Sequence, residues 1–303
     1  EEYLDPRSFI RLPLEDFDES RRIITAAIAA GEREVRIDVI REQKRKILSE
    51  YQFFPTLARI VHGDQLARHL DVSVLNLDRR PDRWESFRQS AAEMAGSVFV
   101  ERCERVPAVD GEALAMDEGI AYMFRGNDFD YRRGIVGCAL SHLETWKRAA
   151  SSGRTALVLE DDARFCAGFG GQLVEVCGAL EELHPGFDVA LLGYHHWSDR
   201  RDGEFRATHR SAELRPMEWN EYLGGLFAYI VSPSGARRLL SLVQRDGIQV
   251  AIDWLVMRKS QSGELEVVQC VPHIASSPLA PPGSTVDSNI QHDFASVRAA
   301  LAS

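Results

Sequence analysis

The chain has 303 residues, 45% hydrophobic and 27% charged, which is ordinary globular usage and excludes wholesale disorder. Its 36 Lys and Arg face 46 Asp and Glu, a formal charge of -10. That balance argues against a nucleic-acid partner, because affinity for a phosphate polymer comes from basic side chains that neutralise it.

The opening residues Glu1-Glu2-Tyr3-Leu4-Asp5 are too acidic for a signal peptide. The chain also starts without Met, so it reads as processed or as part of a larger multidomain polypeptide. No apolar run approaches the ~20 residues of a membrane span, so no transmembrane segment is expected. Residues 17–51 have a helical texture. Ile23, Ile24, Ala27 and Ile28, then Ile37, Ile40, Ile47, Leu48 and Tyr51, recur at near-helical spacing, and Gly31 breaks the run in two. Residues 1–70 thus read as a helical N-terminal extension or the remnant of an upstream domain, and 71–303 as the main domain.

From Val72 the texture changes to alternating strands and helices. Val72–Asn76 reads as a strand, residues 81–94 as a helix with Pro81 in its first turn, and Val98–Val106 as a second strand. Residues 111–133 read as irregular. A helix marked by Val136, Leu140, Leu143 and Trp146 leads through Gly153 into Leu157-Val158-Leu159-Glu160-Asp161-Asp162. Phe187–Leu192, Leu226–Val231 and Leu265–Val271 are further strand candidates. Ser232-Pro233 is an N-cap and first-turn pair opening a helix through Leu240. Such alternation predicts an α/β fold with a mostly parallel sheet covered on both faces. The cysteines (Cys103, Cys138, Cys166, Cys177 and Cys270) are scattered and odd in number, which fits free thiols in a reducing, cytoplasmic setting.

The acidic stretch at 160–162 is the most informative. A buried strand closed by three carboxylates delivers them to a sheet edge, where open α/β sheets collect ligands. Hard divalent cations take oxygen ligands from one or two carboxylates plus substrate phosphates. Glu160 and Asp162, two apart on an extended segment, point to the same side. An acidic turn without a ligand is the plainer alternative.

Three segments together resemble family 25 glycosyltransferases. They are Val74–Arg83; Gly134–His142 followed by Ala156–Asp162; and Gly224–Ser232 with Gly235-Ala236, then Ile252-Asp253-Trp254. The resemblance covers about residues 72–292, and Asn289 stands where the family usually has Asp. It implies a GT-A type nucleotide-sugar fold. It further implies transfer of a hexose, galactose or glucose favoured, from a UDP-sugar to a hydroxyl with inversion, assisted by Mn2+ or Mg2+. The acceptor would be a glycan, a lipopolysaccharide or a protein. A metal-dependent phosphohydrolase, or a non-catalytic nucleotide-sugar-binding domain of a larger transferase, is the alternative. Residues 1–62 lie outside this resemblance. There Asp5–Ile10 and Gln43–Phe54 resemble the C-terminal tail of family 10 fucosyltransferase-like enzymes.

On this reading Asp162 is a metal ligand, with Asp161 a second candidate. Glu160 is a ligand or a partner of the reacting sugar, counted with the catalytic residues. Asn76, Asp78, Arg79, Arg80 and Arg83 surround a helix N-terminus suited to an anion. Gly137 allows close packing or ligand approach, and Ser141 and His142 follow on the same helix. His142 is either a donor to a carboxylate or substrate, or a satisfied interior histidine. Cys138 reads as a small hydrophobe. Asp253 is a general base or a helix N-cap, Gly225 a substrate contact, and Trp254 a sugar platform or a core residue. His195-His196-Trp197 reads as acceptor-loop material or plain surface loop. His273 and His292 are possible further metal ligands.

Overall fold

The computed structural model describes residues 6–13, 16–46, 70–196, 212–220 and 222–278. The chain divides into two compact units, Glu1–Val61 and His62–Ser303.

In the first unit, helices cover Phe17–Ala29, Glu32–Val35 and Ile37–Lys46. The Asp16 carboxylate accepts from the Glu19 backbone N–H at 2.9 Å and caps the first helix. Gly31, at φ 62°, turns the chain between the first two, where the sequence places its break. Within this unit the apolar stripe leaves Phe17, Ile28 and Val35 largely exposed. Ile47, Leu48 and Tyr51 lie outside the described residues.

The second unit is built on seven strands: β1 (Leu70–Asn76), β2 (Glu104–Pro107), β3 (Thr155–Glu160), β5 (Val189–Leu191), β7 (Glu213–Pro216), β9 (Ala228–Val231) and β10 (Val267–Val271). Their order is β2-β1-β3-β9-β5-β10-β7. Strands β2, β1, β3, β5 and β10 share one direction, while β9 and the edge strand β7 run the other way. Short pairs β4 (Arg164–Phe165) with β11 (Ala275–Ser276), and β6 (His195–His196) with β8 (Tyr222–Gly224), flank the sheet.

Alternation along the strands sends side chains to two cores. Leu75, Val158, Tyr229 and Val231 join one with helices Arg133–Ser152, Pro233–Asp246 and Ile252–Gln261. Val74, Leu157, Leu159 and Ile230 join the other with helices Pro81–Ala95, Ser97–Arg102 and Phe169–Leu183. Covering on both faces explains why β3 reads as an unbroken apolar run.

Two sequence expectations need correction. Val98–Val106 is not one strand. Gly96, at φ 94°, ends the preceding helix; Ser97–Arg102 forms a short helix that buries Phe99, and only Glu104–Pro107 pairs with β1. Burial of Phe99 overrides the β preference of Val98 and Val100. Residues 111–133 also contain a helix, Glu118–Met123, whose N-cap Asp117 accepts from Ile120 N at 2.8 Å. Ser232 behaves as the sequence predicts: its hydroxyl accepts from Gly235 N at 2.9 Å, and the helix it opens runs on to Asp246.

Candidate functional site

Register puts the site at one edge of the sheet. Leu75 pairs with Glu160, so β1 and β3 end side by side, and Asp161 N donates to Leu75 O at 3.1 Å. Strand β9 enters the same edge in reverse: Glu160 N donates to Phe227 O at 2.8 Å, which brings Gly224 and Gly225 alongside the acidic end. Gly193 and His195 follow β5 to that edge. A cavity of about 420 Å³ opens there, and Arg79, Arg83, Ser141, His142, Glu160, Asp161 and Asp162 all line it.

The three carboxylates have different surroundings. Asp161 is buried; Asn76 Nδ2 donates to its Oδ2 at 2.6 Å, and Arg83 Nη2 stands 2.6 Å from its Oδ1. Arg83 Nη2 also reaches Asp162 Oδ2 at 3.0 Å. Asp162 Oδ1 is enclosed without a hydrogen-bond partner. Glu160 faces His142, with Nε2 at 3.4 Å from Oε1. Burial, then the Glu160 charge, pushes the Asp162 carboxyl up to about 7, against the pull of Arg83. An enclosed, unpartnered carboxylate oxygen beside a second carboxylate fits a hard divalent cation, whose charge would offset that repulsion. Asp161, fully engaged by Asn76 and Arg83, is better fitted to hold Arg83 in place than to ligate.

The raised Asp162 carboxyl gives a pH prediction. Its folded value lies above its unfolded one, so between about 4 and about 7 the folded state binds more protons than the unfolded state. The contribution of Asp162 to the stability of the metal-free protein should therefore fall as pH rises through that window, while the depressed His273 acts in the opposite sense. The thermal midpoint of the wild type relative to that of Asp162→Ala should decline from pH 5 to pH 8.

Asn76, proposed from sequence as a substrate contact, is instead buried behind the cavity wall. It donates to Asp161 and to Arg80 O (3.0 Å), and accepts from Arg105 Nε (2.7 Å). Asp78 is exposed and pairs with Arg105 at 2.8 Å, outside the cavity lining. Arg79 lines the cavity and is tied to Asp110 at 2.6 Å. Gly137 is a packing glycine: a Cβ there would lie 2.6 Å from Val109 O. Ser141 supports the same loop, accepting from Val109 N at 2.8 Å while its hydroxyl donates to Gly137 O at 2.7 Å.

Asp253 sits in the first turn of helix Ile252–Gln261, but Ala251 is the N-cap. Its oxygens accept from Gly225 N (2.8 Å) and Trp254 N (2.9 Å). The N-cap alternative fails in its simple form. The residue fastens the Gly224-Gly225 turn to the helix, and a Cβ on Gly224 would lie 2.9 Å from Asp253 Oδ2. Burial raises its carboxyl above the ordinary range, the two backbone N–H groups pull it back, and the nearby Glu160 adds to the rise. Trp254 is half-buried against Tyr222, ring centroids 6.1 Å apart.

His195 and His196 form strand β6 rather than loop. The His195 Nε2 meets Ser277 Oγ at 3.0 Å. His196 and His273 stack, with Nε2 atoms 3.4 Å apart, and burial drives His273 down to about 3. His273 is not among the cavity-lining residues. Trp197, Asn289 and His292 lie outside the described residues.

Sequence reasoning missed Arg132 and Arg133, which line the cavity at the start of the Arg133–Ser152 helix. Arg133 Nη1 donates to the Glu112 and Leu114 carbonyls, both at 3.1 Å. Asp130 and Tyr131, at φ 50° and 52°, turn the chain into this pair. The signal was there: two adjacent arginines at the start of a glycine-containing helix.

Comparison with known proteins accords with this arrangement. The family model "Glycosyltransferase family 25 (LPS biosynthesis protein)" matches residues 69–256. Putative glycosyltransferase R655 of Acanthamoeba polyphaga mimivirus is 30% identical over 239 residues, covering 77% of this chain and 70% of that protein. Procollagen galactosyltransferase 1 of Danio rerio is 27% identical over 180 residues, 56% of this chain and 28% of that protein. Probable inactive glycosyltransferase 25 family member 3 of Bos taurus is 29% identical over 180 residues, with the same two coverages. The match thus spans under a third of each of these two vertebrate relatives. The family model takes in more than half of the sequence and the whole acidic edge of the sheet, and on that ground the chain belongs to glycosyltransferase family 25.

Proposed function

We propose that the protein transfers a hexose, galactose favoured, from a UDP-sugar to a hydroxyl of a glycan, lipopolysaccharide or protein acceptor, with inversion, on a GT-A type domain in a cytoplasmic setting. The convergence of Glu160, Asp162, Arg83 and Asp253 on one sheet edge carries this reading; the galactosyltransferase names among the relatives favour galactose.

Asp162 and Glu160 would hold Mn2+ or Mg2+, which supplies charge neutralisation for a diphosphate leaving group. Arg83, fixed by Asp161, presents its guanidinium beside that position. Arg79, Arg132 and Arg133 add positive charge along the wall. Asp253, fastened to Gly225 outside the cavity lining and made more basic by burial, takes the proton of the attacking hydroxyl. The acceptor oxygen forms a bond to the anomeric carbon, the bond from that carbon to the diphosphate oxygen breaks, and UDP leaves with the electron pair. Attack from the face opposite UDP inverts the anomeric centre.

The test is donor hydrolysis and transfer over a panel of UDP-sugars, with and without manganese. One sugar should turn over, and only with metal. Phosphate release from simple esters without an acceptor would favour the phosphohydrolase. Donor binding without turnover would favour the non-catalytic domain that the inactive relatives exemplify.

A further inference from the structure

We propose that Cys138, His142 and Glu160 form a binding site for a thiophilic divalent cation of the Zn2+ class, which shares Glu160 with the all-oxygen position at Asp162 and differs from it by its thiolate and imidazole ligands. One ligand atom from each of the three residues lies within 4.8 Å of the others. Bonds of ~2.0–2.3 Å to a tetrahedral cation set donors roughly 3.3–3.7 Å apart, so a closure of about an ångström completes the set. Cys138 and His142 stand one turn apart on the same face of the Arg133–Ser152 helix, and Glu160 ends β3 opposite them.

The His142 ring is held as a ligand's ring would be. Its Nδ1 meets Tyr229 Oη at 3.0 Å, and Trp146 Nε1, which can only donate, gives its hydrogen to the same oxygen at 2.9 Å. This support turns Nε2 toward Glu160. That atom belongs to a fully buried side chain and has no hydrogen-bond partner of acceptable geometry. A second ring nitrogen anchored by a hydrogen bond is the usual arrangement behind a metal-binding histidine. All three residues line the cavity, so a fourth coordination position opens toward it.

Thiolate with imidazole selects zinc and cobalt, whereas carboxylates alone suit manganese and magnesium. The chemistry therefore distinguishes this site from Asp162. Burial, with the charges of Glu160, Asp253 and Asp162, holds the Cys138 thiol protonated in the free protein. Binding converts thiol and cation into a metal thiolate and releases one proton to solvent.

The test uses Co2+ as a spectroscopic probe added to the metal-free full chain. Wild-type protein should develop a near-ultraviolet thiolate-to-cobalt charge-transfer band that saturates at one equivalent and disappears when Zn2+ is added. Cys138→Ser and, as a second variant, Cys138→Ala should lack the band, while Asp162→Ala should retain it. Absence of the band in wild-type protein overturns the proposal without recourse to any variant. Its survival in a folded Cys138 variant assigns it to another thiol and overturns the proposal equally. The transferase reading is tested apart from this, by turnover of UDP-sugars with manganese and by the Asp162 and Asp253 variants, so a missing cobalt band overturns the thiolate site alone.

Discussion

Asp162→Ala is expected to abolish metal-dependent donor binding and to lower kcat/KM on the order of 10³-fold or more. A cation on phosphate oxygens is worth several kcal/mol of charge stabilisation, and each ~1.4 kcal/mol is tenfold in rate. Stability should hold. The side chain is about a quarter exposed, its removal relieves repulsion with Glu160, and Arg83 keeps Asp161 as a partner. Titration calorimetry with a UDP-sugar and manganese, beside a thermal melt, reads both effects. Undiminished manganese-dependent turnover in a folded Asp162→Ala protein would remove this residue from the site.

Asp253→Asn should cost ~10²–10⁴ in transfer rate, the usual range for general-base catalysis, with donor affinity preserved. The substitution is not silent structurally. Both Asp253 oxygens accept from backbone N–H groups, so an amide nitrogen would face a donor at one of them. A lost hydrogen bond with an unsatisfied donor costs about 1–3 kcal/mol. A lower melting temperature is therefore expected as well, and the rate must be compared at a temperature where the variant is folded. Folded Asp253→Asn protein with full transfer would leave the residue only its role in fastening the Gly224-Gly225 turn. The base would then be sought at His195, which pairs with Gly224 on the neighbouring strand.

Much of this was legible in the sequence because it follows from local rules. The apolar run ending at Glu160-Asp161-Asp162 announced a strand and its ligand-facing end, and Ser232-Pro233 announced a helix start. What was not legible depends on long-range register. Nothing local says that Asn76 serves Asp161 rather than a substrate, since the two are 85 residues apart and meet only because β1 and β3 are neighbours. Gly137 likewise needed the Val109–Gly111 loop beside it to reveal a packing role. The two-residue strand at His195-His196 is too short to show a period, and its partner at Tyr222–Gly224 lies far along the chain. Ser97–Arg102 misled because β-branched residues flanking a buried Phe look like a strand until the packing is known.

Strand β9 lies between β3 and β5, yet it is made long after both. Until it arrives, β3 is paired only with β1, and β5, whose other neighbour β10 is made later still, has no strand partner. Closing a loop of such length is entropically slow, so this insertion is a natural late step in folding. During synthesis, a ribosome that has not passed Val231 holds two open strand edges where the finished chain has an interior. The same strand brings Phe227 O to Glu160 N and Tyr229 Oη to His142. Assembly of the reactive edge and the joining of β3 to β5 are thus a single event, and chains that stop short of β9 cannot display a finished site.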